Sequence, residues 1–298
     1  MSRTVSIQAR LLVTVLVFAV LVWRLGAGPF LDGVRTLDGR ALAAAAGLAV
    51  MTTLCCAWRW KIVAGGLGVE LSLAAAVAAY YRSLFINVTV PGGIVGDVHR
   101  GISHGRDVSD VGGALRAVAW ERFAGQLVQA VLTVVVLLAL PSPVRSAMPL
   151  VALAVVAGVV GAGLVARRQL RLARKAWLGV GLASALVVGG HAATFLVAAR
   201  TAGVTASPSR MLPLALLVML AMVLPSAGGW GPREGVTAWA FGAAGLGVQQ
   251  GVATAVAYGV MVLVASLPGA AVLLVSSCRG IQRRGRTRPA LAEGAAPA

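Results

Sequence analysis

The sequence predicts an all-α integral membrane protein with six full transmembrane helices and two broken, re-entrant helical hairpins in an inverted-topology repeat. Three observations carry this. The 298 residues are 59% hydrophobic and 12% charged, where a soluble domain carries about 25% charged residues. Several apolar runs approach or exceed the ~20 residues that cross a bilayer. Two stretches, Ser83–Arg100 and Leu224–Gly235, repeat one design: an apolar approach, a proline, several glycines, then opposite charges. Proline and glycine interrupt a helix. At membrane depth such a break persists only where it is buried in protein or lines a wet cavity. Paired breaks in corresponding places are a pointer to a transport site.

The elements follow in order. The first span is Ile7–Trp23, retained as a span because no small-residue cleavage site follows it. A polar connection, Arg24–Arg40, leads to a second span, Ala41–Ala57, closed by Trp58, Arg59, Trp60 and Lys61. That cluster reads as an aromatic and basic anchor at the headgroups. Leu71–Val90 approaches the first break, and Asp97–Arg116 is a polar return. Spans follow at Ala117–Leu140, Met148–Ala166 and Ala176–Ala199, separated by a Pro141-Ser142-Pro143 turn and a loop with five bases from Arg167 to Lys175. Met211–Leu224 approaches the second break, Val236–Val248 is its apolar return, and Val252–Val275 is the last span. Residues 1–280 are expected to form one polytopic domain, with pseudo-repeats at about 5–140 and 148–276. Residues 281–298, basic and then rich in alanine and proline, are expected to be a disordered cytoplasmic tail.

Charge sets the topology. The formal net charge is +17, but the bases occupy short loops between spans, which suits anionic headgroups rather than nucleic acid. With both breaks entering and leaving on one side, both termini are cytoplasmic and 19 of the 26 bases face the cytoplasm, as the positive-inside rule requires. The first break is then approached from inside and the second from outside. Pro91 precedes its following span by 26 residues and Pro225 precedes its own by 27. The expected location is the cell membrane, multi-pass. No cofactor and no metal are expected. Cys55 and Cys56 lie in an apolar run as packing residues, and His99, His104 and Asp97 lack a regular ligand spacing.

Three motifs resemble the transmembrane domain family of lysylphosphatidylglycerol synthases, the flippase-like domain proteins. They are Asn87 to Arg100 with its Pro91-Gly92-Gly93 and Gly96-Asp97, then Glu121-Arg122-Phe123-Ala124-Gly125, then Pro225 to Glu234. The resemblance covers about residues 5 to 280; His99 stands where many members carry an aliphatic residue. It implies a polytopic domain that moves lipids or lipid-linked groups between leaflets. Bifunctional members add a soluble aminoacyltransferase domain, which has no counterpart in these residues. The expectation is therefore a stand-alone member, without lipid aminoacylation carried over.

The candidate headgroup ligands are Arg100, Arg233, Arg82 and Arg122. Arginine offers a planar fork for two phosphate oxygens, and opened helix ends add free N–H groups. Arg100 and Arg233 equally suit local pairing with Asp97 and Glu234. Arg122 reads first as a snorkelling residue. Glu121 needs an internal partner, either Arg82 or Arg100. Asn87, Asp97, Glu121 and Glu234 are candidate polar partners and gates. Asn87 either binds backbone freed by Pro91 or caps a local turn. Pro91, Gly92, Gly93, Gly96, Pro225, Ser226, Gly228, Gly229 and Gly231 make the backbone breaks. His191 reads as a packing residue, and Asp107 and Asp110 as a solvated pair.

Three function classes remain open. One is a translocase for an anionic phospholipid or a polyprenyl-phosphate-linked glycan. Another is a membrane-embedded glycosyltransferase or lipid-modifying enzyme, disfavoured because the chain holds nine acids and neither a Gly-x-Ser-x-Gly nor a His-Glu-x-x-His motif. The third is a non-transporting partner of a membrane glycosyltransferase or lipid synthase. Membrane lipids, anionic or lipid-linked, are the expected partners.

Overall fold

The structure is a computed structural model. It describes residues 15–16, 19–90, 93–142, 144, 146, 148–170, 172–222 and 230–292, with side chains described to residue 275 and without that of residue 167. Among the described residues it is all helical. A helical segment over 19–25 is followed by α1 (Gly28–Arg35), α2 (Gly39–Gly66), α3 (Leu73–Thr89), α4 (Val95–Asp107) and α5 (Val111–Ala139). Then come α6 (Met148–Gln169), α7 (Arg174–Thr201), α8 (Pro208–Ala221), α9 (Pro232–Ala243) and α10 (Val248–Ala292).

Local chemistry explains the starts. Asp38 accepts from Ala41 N at 2.7 Å to cap α2, and Ser72 accepts from Ala75 N at 3.2 Å to cap α3. Pro208 and Pro232 open α8 and α9, where a missing N–H costs nothing. Asp110, expected to be solvated, instead caps α5 by accepting from Gly113 N at 2.8 Å.

Five helices are long and apolar enough to cross a membrane: Gly39–Gly66, Val111–Ala139, Met148–Ala166, Arg174–Thr201 and Val248–Val275. They match five expected spans; the sixth, Ile7–Trp23, lies mostly outside the described residues. The central helix α2 packs against α7, α3, α5 and α10, while α10 packs against α9, α3, α1 and α7. Small residues set these approaches. A Cβ at Gly269 would strike the Tyr81 carbonyl, and one at Gly190 would strike the Thr52 methyl. Close backbone approach at small residues is how helices associate where lipid removes the hydrophobic drive. The peripheral helix α6 packs on α5 and turns Leu150, Leu153 and Val156 outward, an apolar face suited to lipid chains.

Both expected breaks separate two helices whose arms pack on one another, α3 with α4 and α8 with α9. Pro91, Gly92, Pro225, Ser226, Gly228 and Gly229 lie outside the described residues. Gly93 has φ +66° and Gly231 has φ +97°, a region that favours glycine.

The return after the first break, expected to be polar, is a polar helix: α4 runs to Asp107 and α5 begins at Val111. Glycines make this possible. A Cβ at Gly96 would strike the Ser83 carbonyl, one at Gly101 would lie 2.8 Å from Leu115, and one at Gly105 would strike Val111 Cα. They form a flat face that lets a polar helix lie against α3 and α5. The helix α10 extends to Ala292, into the segment expected to be a tail.

Candidate functional site

The site forms where α2, α3, α4 and α5 meet, just past the first break. Asn87, in the last turn of α3, stitches the break closed. Its Oδ1 accepts from Gly96 N at 2.8 Å, and its Nδ2 donates to Asp97 Oδ2 at 2.7 Å. Of the two readings of Asn87, this contact is the cap, since Gly96 lies in the first turn of α4. Asp97 shares that turn, where the helix dipole favours a carboxylate.

Asp97 in turn holds two arginines. Arg100 Nε donates to its Oδ1 at 3.0 Å, and Arg122 Nη1 donates to Oδ2. Arg100 continues the chain, donating from Nη2 to Glu121 Oε2 at 2.6 Å and to the Tyr80 hydroxyl at 3.2 Å. Its guanidinium stacks 4.1 Å from the Tyr80 ring centroid and 4.5 Å from that of Trp60. Of the two partners expected for Glu121, the structure supplies Arg100. Arg82 is not brought into the network, and its Nε is buried without a hydrogen-bond partner.

A third arginine joins that the sequence reading assigned elsewhere. Arg59 is buried on α2, donates to Glu121 Oε1 through Nε at 2.8 Å and forms an ion pair with it through Nη2. Its Nη1 donates to Ser184 Oγ at 2.9 Å, and Tyr80 also donates to Glu121 Oε1, at 2.7 Å. The expected interfacial anchor is thus corrected. Trp60 has no exposed surface, because α2 runs on to Gly66 and turns residues 59 and 60 into the bundle. Arg122 is corrected as well: it pairs with Asp97 rather than snorkelling, and its side chain remains 37% exposed.

Three guanidinium groups here face two carboxylates, an excess of one positive charge. Buried ions are tolerated when they are paired and hydrogen-bonded, and removing one partner is costly. A cavity of about 210 Å³ opens beside the network. Its polar lining includes Arg59, Asn87, Asp97, Arg122, Gln126, Gln129 and Ser184. Gln129 Nε2 is buried with no hydrogen-bond partner, a donor available to an incoming acceptor. None of Tyr80, Gln126, Gln129 and Ser184 could be found from charge; Gln126 and Gln129 follow Arg122 at helical spacing on α5, whereas Tyr80 and Ser184 reach the site from other helices and carry no such signal.

The second break builds a smaller centre. Arg233 Nε donates to Glu234 Oε1 at 2.8 Å, and Glu234 Oε2 accepts from Gly231 N at 2.6 Å. Arg233 lies 4.4 Å from the Trp230 ring centroid, and it packs closely on α10, where a Cβ at Gly259 would strike its Nη2. The local pairing expected for Arg233 and Glu234 is the one observed.

His191 lies between the two centres. Its Nδ1 lies 3.2 Å from the Tyr258 hydroxyl, and Tyr258 in turn lies beneath Arg233, whose Cζ is 5.8 Å from its ring centroid. His191 is satisfied, as a packing residue should be, and it also lines the polar cavity.

Comparison with known proteins gives one family. Residues 7–179 match the family described as the lysylphosphatidylglycerol synthase TM region. No curated protein matches the chain.

Proposed function

The chain belongs to the lysylphosphatidylglycerol synthase transmembrane family, and from that membership and the polar site we propose that it is a lipid translocase of the cell membrane, moving an anionic phospholipid or a polyprenyl-phosphate-linked glycan between leaflets. One observation carries the reading: a cavity inside an apolar helical bundle is lined by Arg122 and Gln129 and borders an ion network with one excess positive charge. Ionisable groups at membrane depth face bundle interiors or wet cavities and mark substrate pathways. A phosphate satisfies such a site in a way that a neutral head does not.

In this reading the chain has six transmembrane helices, both termini cytoplasmic, and two re-entrant hairpins, α3–α4 from inside and α8–α9 from outside. The repeated order of helix, glycine-rich break, helix and long span supports the inverted repeat. In the resting state Asp97 holds Arg122 by the cavity. An arriving phosphate takes that guanidinium from Asp97, while Arg100 and Asn87 keep the carboxylate paired. Arg233 and Glu234 form the corresponding station in the second half. Arg82 is a further candidate contact from α3.

Reconstitution tests this. Liposomes carrying the protein and a fluorescent phosphatidylglycerol should exchange the lipid between leaflets faster than protein-free liposomes. Equal rates for every anionic lipid tried, including a polyprenyl phosphate, would reject the proposal.

A further inference from the structure

On the far side of α5 from the polar site lies an apolar cavity of about 260 Å³. The α5 helix is the wall between the two. Gly125, Gln126 and Gln129 line the polar cavity, while Phe123, Ala124 and Leu127 line the apolar one, as opposite faces of one helix do. Val159 and Gly163 on α6 and Trp177 and Gly181 on α7 form further walls. Among the described residues that line it, only Trp120 and Trp177 carry a polar side-chain atom, and Trp120 Nε1 donates to Gln169 Oε1 at 3.0 Å. Such a cavity does not suit water, which needs several polar partners when buried. Its shape is a wedge. The α6 helix packs on α5, and only 6% of its span is buried in the protein, against 44% of the α7 span. Val159 is 38% exposed and Gly163 is also exposed, so the wedge opens sideways toward lipid.

One end of the wedge is charged. The stretch that joins α6 to α7, Arg167–Lys175, holds five bases and no acid. Arg168, Arg174 and Lys175 are exposed there, and Trp177 follows them into the cavity wall. Val159 to Ala166 covers about 10 Å of helix, which fits within one leaflet of a ~30 Å hydrocarbon core. A tryptophan beside a basic cluster marks headgroup level, and here the apolar cavity starts at that tryptophan. We propose that the wedge binds an anionic phospholipid of that leaflet, with an acyl chain between α6 and α7 against α5 and the head on Arg168, Arg174 and Lys175. This is a resident lipid rather than a translocated one. No charged group lines the wedge among the described residues, and α5 separates it from the cavity of Arg122. Its chain fills the space behind the helix that carries Glu121 and Arg122. The proposal rests on the membrane reading of the chain and does not require translocation.

Tryptophan quenching tests this. The full chain is reconstituted in phosphatidylcholine vesicles carrying a minor fraction of either phosphatidylglycerol or phosphatidylcholine with brominated acyl chains, which quench tryptophan on contact. At equal fractions, brominated phosphatidylglycerol should quench the wild-type protein more strongly than brominated phosphatidylcholine. That excess should vanish in the double variant Trp120→Phe/Trp177→Phe. It should fall at least about fivefold in the triple variant Arg168→Gln/Arg174→Gln/Lys175→Gln, since each base near the surface is worth about that factor for an anionic lipid, and it should fall at high salt. Gly163→Leu/Gly181→Leu, at positions where an added Cβ meets nothing within 4 Å, should fill the wedge and reduce the excess as well. Equal wild-type quenching by the two lipids would overturn the proposal and leave the wedge as ordinary bilayer contact. An excess that survives in the triple variant but is lost in Arg122→Ala would place the lipid in the polar cavity and overturn it too. The wild-type comparison and the triple variant, whose changes are on exposed side chains, decide the matter even where the tryptophan or glycine pair fails to fold. Leaflet exchange does not enter this readout, so a protein that translocates no lipid can still show the site, and a protein without the site can still translocate.

Discussion

Glu121 on α5 accepts from Arg59 Nε on α2 at 2.8 Å, with neither residue at the end of its helix. The pair ties together two of the membrane-length helices, and Arg100 completes the carboxylate's partners from the broken hairpin. Glu121 therefore joins spans to hairpin.

Replacing it should be severe. Glu121→Gln leaves Arg59 and Arg100 buried without their shared carboxylate, a loss of about 3–5 kcal/mol for a broken buried pair. Thermal unfolding in detergent should show a large drop in melting temperature. Tyr80→Phe, which removes one hydrogen bond to the carboxylate, should cost about 1.5–3 kcal/mol.

Arg122 should behave differently. Its side chain is part-exposed, and Asp97 keeps Arg100 and Asn87 as partners when it is removed. Arg122→Ala should leave the melting temperature within a few degrees of wild type while weakening retention of anionic phospholipid through purification. Lipid extraction followed by mass spectrometry would measure this, with Arg122→Lys recovering part of the loss.

The glycine contacts give a third comparison. A Cβ at Gly125 would lie 2.7 Å from Arg59 Nη1, whereas at Gly161 on α6 nothing lies within 4 Å. Gly125→Ala should destabilise by about 1–3 kcal/mol through overpacking. Gly161→Ala should stabilise by about 0.4–1 kcal/mol, because alanine has less backbone freedom to lose. Detergent unfolding of the two variants side by side reads the sign directly.

These residues show what a one-dimensional reading reaches. Asn87, Asp97 and Arg100 were legible because they lie within a turn or two of the Pro91 break and act on one another across it. Arg233 and Glu234 were legible for the same reason. Arg59 was not. Its flanking Trp58, Trp60 and Lys61 match a headgroup anchor, and only Ile62, Val63 and Ala64 beyond them hint that α2 continues. What decides its role is a carboxylate 62 residues away, which no local pattern encodes. Arg122 was misplaced likewise: an arginine early in a span snorkels unless an acid meets it, and Asp97 meets it from another helix. What the sequence did not show in α4 is that Gly96, Gly101 and Gly105 form its contact face, because their neighbours, Ser83, Leu115 and Val111, come from other segments.

Topology has its own test. In a background lacking Cys55, Cys56 and Cys278, single cysteines at Ser109 and Ala243 place one thiol after each hairpin. The inverted repeat predicts that a membrane-impermeant reagent labels Ala243→Cys in intact cells and Ser109→Cys only after permeabilisation. Labelling of both from one side would contradict it.

The central claim is that the cavity beside Asp97 and Arg122 carries an anionic lipid across the membrane. Leaflet exchange of fluorescent phosphatidylglycerol in proteoliposomes, with wild-type protein and Arg122→Ala reconstituted at equal density, tests it most directly. The account predicts acceleration by the wild type and a loss of at least about tenfold in the variant, the equivalent of one charge-assisted contact. Equal acceleration by a folded Arg122→Ala protein would contradict it.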